Sequence, residues 1–207
     1  IDGVTIKDGG IVGATTITTA DNNPQLTLVS TDADGASGPN LTLYRNSSSP
    51  ADNDQCGRIK FIGRNDNSQD FDASYFTVSS VDVSDGSEDA SMEWYVKTAG
   101  SDQLKISMKP TETVFNEASA DLDFRIEGNG DANAFFLDGE VDRIYLGHNA
   151  DTDINGLNAR LQISGTDFDK SSASFIRYSN NANGPSIGFA KSRNATLAGN
   201  TIEPVVA

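Results

Sequence analysis

The chain has very little of what reactive sites are usually built from. Its 207 residues include one Cys, one His, one Trp and two Met. Cys56 on its own forms no intrachain disulfide and no thiolate zinc site. His148 limits any imidazole acid–base or metal chemistry to a single ring. Basic residues are scarce as well: 15 Lys and Arg stand against 30 Asp and Glu, a formal charge of −15. Phosphate contact needs a basic face, so this balance argues against a nucleic-acid partner. It equally disfavours anionic membrane surfaces. No apolar run approaches the roughly 20 residues of a membrane-spanning helix, so no membrane insertion is expected. The opening at Ile1 rather than Met reads as a segment of a longer or processed product. Leu, Ile, Val and Phe together make up 22% of the chain. That is just above the ~20% below which a highly charged sequence stays disordered.

What rescues the composition is its arrangement. Apolar residues alternate with polar ones in short bursts. They run through Leu26/Leu28, Leu41/Leu43, Ile59/Phe61, Phe76/Val78 and Met92/Trp94/Val96. Further along come Leu104/Ile106/Met108, Leu122/Phe124/Ile126, Phe135/Leu137, Ile144/Leu146, Leu161/Ile163 and Ile176/Tyr178. A period of two marks strands with one buried face. Asp, Asn, Gly and Ser clusters separate the bursts and supply turn chemistry. No sustained i, i+3, i+4 stripe occurs. The sequence therefore predicts an all-β fold of repeat-built antiparallel units. So few large apolar residues give a thin core, which oligomerisation commonly completes.

Four zones follow from these patterns. Residues 1–20 form a thin β segment, either a fibre shaft or an edge hairpin. Residues 21–117 form a first β unit, and 118–156 a compact hairpin unit with turn signals at GNGD and DGEVD. Residues 157–207 read as an incomplete second copy of the first unit. In support, LQISGTD (161–167) aligns with LTLVSTD (26–32) at an offset of 135, and FIRY (175–178) falls on NLTL (40–43). SIGFAKSRN (186–194) is similar to RIKFIGRN (58–65). Repeated supersecondary units imply a stacked array rather than a globule around one cleft.

The stretches LTLVSTDADGASGPNLTLYRNSSSPADNDQCGRIKFIGRNDN, VDVSDGSEDASMEWYVKTAGSDQLKISMKPTETVFNE and DLDFRIEGNGDANAFFLDGEVDRIYLG occur in that order. With SASFIRYSNNANGPSIGFAKSRNATLAGNT they cover most of 24–201. In this block order the chain resembles bacteriophage virion appendage proteins of the kind abundant among marine phages. The resemblance implies a structural tail-fibre component, not an enzyme, located on the virion. It implies a homotrimer that joins other virion proteins and contacts a host surface glycan or protein. A capsid-decorating or head-fibre protein and a bacterial surface filament are the neighbouring readings.

Few residues offer chemistry. DTDING (151–156) places Asp151, Asp153 and Asn155 at the first, third and fifth positions of an EF-hand-like loop, with Gly156 at the sixth. Oxygens at that spacing converge on calcium. The twelfth position is Gln162, not Glu, and no helical pattern flanks it, so a solvated turn is the other reading. No cofactor is expected besides that candidate calcium. Paired carboxylates are the machinery of polysaccharide-degrading spikes. Such sites also use aromatic platforms, and Trp94, the only Trp, sits inside an alternating burst and reads as core. No G-x-S-x-G elbow accompanies His148. Cys56 reads as a small buried hydrophobe. Tyr44, Phe71, Tyr75 and Phe168 are expected in polar loops, as receptor contacts or as packing against a neighbouring chain.

Overall fold

Polar turns fold the middle of the chain into a series of antiparallel strands. The computed structural model describes residues 16–178 and, beyond them, 180, 182, 184–187, 190–192 and 202–204. The described residues are all-β, with no helix among them. The N-terminal segment read as shaft or hairpin lies outside them up to residue 15, as does much of the expected last repeat.

The first sheet has five strands in sequence order: β1 (Asp54–Arg64), β2 (Asp70–Asp82), β3 (Asp89–Thr98), β4 (Ser101–Met108) and β5 (Thr113–Phe115). All its pairs are antiparallel. Each reversal has a local cause. Between β1 and β2, the Asn65 side chain accepts the N–H groups of Asn67 (3.0 Å) and Gln69 (2.8 Å). Between β2 and β3, Asp82 accepts the Ser84 N–H at 2.8 Å, which holds its carboxyl below the ordinary value. Between β3 and β4, Ala99 and Gly100 take φ of +48° and +81°, a two-residue turn whose twist suits a hairpin.

The second sheet contains β6 (Phe124–Ile126), β7 (Phe135–Asp138), β8 (Arg143–Leu146) and β9 (Leu161–Ile163). GNGD and DGEVD lie in its two hairpin connections, as their sequences predict. The pair β8–β9 is parallel, so the chain crosses over through residues 147–160. β9 thus joins the unit that the sequence closes at residue 156. Two further strands, β10 (Ala190–Ser192) and β11 (Ile202–Pro204), pair with each other.

Three expected strands do not form. Leu26/Leu28, Leu41/Leu43 and Ile176/Tyr178 alternate correctly but carry no ladder. Alternation makes a segment competent to pair, whereas a strand also needs a partner edge, and none of the described residues supplies one. Leu43 lies against Gly57 and Arg45 pairs with Asp54 at 3.0 Å, so only the end of this segment touches β1.

Candidate functional site

Antiparallel register decides which side chains share a face, because directly opposed residues point the same way. One row crosses all five strands of the first sheet: Ile59, Phe76, Trp94, Ile106 and Phe115. Beside it runs Gly57, Val78, Met92, Met108 and Thr113. Phe61 adds to the same face, its ring edge-on to Phe76 at 6.2 Å, and Phe76 meets Trp94 at 5.4 Å. None of these side chains is charged. Neither is any of them shielded completely: Ile59 is 43% exposed, Trp94 38% and Phe115 51%.

The opposite face has the contrary character. Arg58, Thr77, Glu93, Ser107 and Val114 form one row, and Lys60, Tyr75, Tyr95 and Leu104 another. Here the polar groups close on one another. Tyr75 and Tyr95 stack at 4.7 Å, and the Arg58 guanidinium lies 4.6 Å from the Tyr75 ring centroid. Tyr75 donates to Asp102 (3.3 Å), Tyr95 donates to Glu93 (2.9 Å), and Lys60 pairs with Asp72 at 2.6 Å. Lys97 pairs with Asp102, a hydrogen bond that lowers the Asp102 pKa. Burial, then the hydrogen bond and charge of Glu93, pushes Tyr95 up to about 12. Beneath these groups Thr77 and Ser107 are buried.

The second sheet repeats the asymmetry. Phe124, Leu137, Ile144 and Leu161 make an apolar row, joined by Ile126, Phe135, Leu146 and Ile163 on the same face. Its other face carries Arg125, Phe136, Tyr145 and Gln162, of which the last three are buried. The crossover covers that side. Gln162 accepts the Thr152 N–H at 3.0 Å and donates to Asp151, while the His148 ring lies 4.8 Å from Tyr145. The apolar rows of the two sheets meet through Phe115 and Phe124, whose rings are 4.9 Å apart. Next to that contact lies a cleft of about 650 Å³, lined by Ile106, Phe115, Leu122, Phe124, Phe135 and Leu137 among others.

The residues singled out in the sequence are scattered over this framework. Asp151 pairs with Arg143 at 2.6 Å, and Asp153 accepts the Gly156 N–H. Asn155 and Gly156, at φ of +54° and +82°, make a tight turn bridged by Ile154 and Leu157. Among the described residues no three His, Cys, Asp or Glu side chains gather. The loop thus takes the turn geometry of its Asn-Gly pair. Tyr44 and Phe168 are 79% and 84% exposed in irregular segments, as loop contacts would be. Phe71 opens β2 and packs over Gly63. Tyr75 corrects the expectation of an exposed loop aromatic: it lies within β2, 8% exposed, between Tyr95 and Arg58. Trp94 is on the bare apolar face rather than in a closed core. The Cys56 thiol lies 3.1 Å from the Ser80 hydroxyl at a β1 bulge. The His148 Nε2 has no hydrogen-bond partner among the described residues. No protein-family model, curated protein or solved structure matches the chain.

Proposed function

We propose that this chain is a structural segment of a bacteriophage virion appendage, a tail fibre that works as a homotrimer and supports or mediates attachment to the host cell. The observation that carries the reading is the one-sidedness of both sheets. Each carries polar networks or a covering loop on one face and, apart from Leu43 against Gly57, leaves the apolar face without cover from the described residues. Apolar patches of this kind reach the upper end of what monomeric proteins expose, and an interaction surface is the usual reason for one. A repeat-built β array assembled side by side has this requirement by construction. The net charge of −15 then acts on the outer surfaces, where it keeps assembled particles apart and discourages lateral pairing of strand edges. Tyr44 and Phe168, exposed on polar segments, are the aromatic groups best placed to touch a host glycan or protein. No catalytic step is assigned to the chain.

An antibody raised against residues 54–115 provides the test. In electron micrographs of purified virions from the producing phage, gold-labelled antibody is expected on a fibrous appendage. Preincubation with it should reduce adsorption to host cells. Virions that contain none of this chain by mass spectrometry would refute the assignment.

A further inference from the structure

We infer that the bare apolar face is the seat of a second copy of this chain, with the row Ile59, Phe76, Trp94, Ile106 and Phe115 at the centre of the contact. The inference rests on the homo-oligomeric fibre reading and adds which surface makes the oligomer.

Three observations select this face and this occupant. First, the opposite faces carry polar interactions of their own: Arg58 lies over Tyr75 on the first sheet, and residues 147–160 cover Tyr145 on the second. A partner docking there would have to displace ion pairs and hydrogen bonds. Second, charge distribution among the described residues favours self-association on this face. Two copies of a chain at −15 repel across every acidic surface, but the two apolar rows carry no charge at all. Charged groups (Lys105, Asp123, Asp138 and Asp142) appear only in the cleft beside the rows, so the rows themselves offer a basic partner nothing to pair with, whereas a second copy presents a matching uncharged, aromatic-rich surface. Third, the size suits a subunit contact. Nine strands at about 4.8 Å spacing, three to five residues deep, project roughly 600 Å² of flat area. Side-chain relief raises the accessible area above that, towards the roughly 800 Å² per partner of a stable interface. The cleft beside Phe115 and Phe124 gives the contact a recess for a neighbour's side chain. Aromatic anchors near the centre of such contacts carry much of the binding energy: Phe115 and Phe124 hold that position where the two sheets meet, and Phe76 and Trp94 hold the middle of the first sheet.

Trp94 is the only tryptophan, so it reports on the face directly. The intact chain is followed by sedimentation equilibrium over a range of concentrations while acrylamide quenching of Trp94 is measured. The expected result is an oligomer in which Trp94 loses most of the quenching it shows in the diluted monomer, where it is 38% exposed. In the variant Ile59→Glu, with strand content confirmed by circular dichroism, the oligomer is expected to dissociate at least tenfold more readily. A wild-type chain that stays monomeric at all concentrations would remove both the fibre reading and this interface. An oligomer in which Trp94 remains as quenchable as in the monomer would overturn the interface alone. So would an Ile59→Glu variant that folds and keeps the parent mass. Should Ile59→Glu fail to fold, quenching in the wild type decides by itself.

Discussion

Replacing Gly147 with alanine strikes the junction that holds the parallel strand β9 to β8. Gly147 sits at φ of +86°, and a Cβ built there would come within 2.3 Å of the Ser164 carbonyl oxygen. Real Cβ atoms do not sustain contacts below 3.0 Å, so the two backbones must part by at least about 0.7 Å. The Ser164 N–H then loses its 3.0 Å bond to the Leu146 carbonyl. Forcing an L side chain into the left-handed region costs about 1–2 kcal/mol. The lost backbone bond adds roughly 0.5–1.5 kcal/mol. Together they predict about 1.5–3.5 kcal/mol, or a melting temperature lower by roughly 3–14 °C for a chain of this size. Melting followed by circular dichroism measures it, at one fixed protein concentration because association would otherwise shift the midpoint. Amide exchange locates the damage: the Ser164 N–H should lose protection, and the strands of the first sheet should not. A variant melting within about 1 °C of the parent, with Ser164 still protected, would refute the close approach.

Other perturbations test other parts of the fold. Ala99→Asn places a residue that tolerates positive φ in the two-residue turn before Gly100. It should add about 0.5–1 kcal/mol and raise the melting temperature by roughly 1–4 °C, and a lowered midpoint would contradict the turn geometry. Tyrosinate absorbance during alkaline titration should show a late step near pH 12 that Tyr95→Phe removes. Because the folded value lies above the ordinary 10.0, the associated stability is complete below pH 10 and disappears as pH rises through about 12. A Tyr95 that titrates with the exposed tyrosines would contradict its burial beside Glu93. Calcium at about 5 mM should leave the melting temperature unchanged, because Asp151 is held by Arg143 and Gln162 and Asp153 by Gly156. A clear rise in the midpoint would show that the loop binds calcium.

Much of this is readable from alternation, but not all. The bursts at Phe76/Val78 and Met92/Trp94/Val96 fall inside β2 and β3 and place their apolar side chains on one face. The burst Leu104/Ile106/Met108 reads just as plainly as one face, yet Leu104 opposes Tyr95 while Ile106 opposes Trp94. The register shift at Lys105 moves Leu104 to the polar side, since one extra residue inverts the alternation. Tyr75 departs from the loop expectation for a related reason. In FDASYFTV two adjacent aromatics compete for the core by composition, and both are accommodated because Tyr75 finds cover on the polar face from Tyr95 and Arg58.

The sequence by itself determined the strand periodicity, the turn positions and the absence of helix among the described residues, because each is set by neighbours along the chain. It also determined that the charge would be acidic and the core thin. Only the tertiary structure decided which face stays open. That depends on the register that lines up Ile59, Phe76, Trp94, Ile106 and Phe115, and on the Phe115–Phe124 contact that carries the row into the second sheet. It depends equally on the crossover at 147–160, which buries Tyr145 and leaves Leu161 bare. These are pairings between residues far apart in sequence, and no local pattern specifies them.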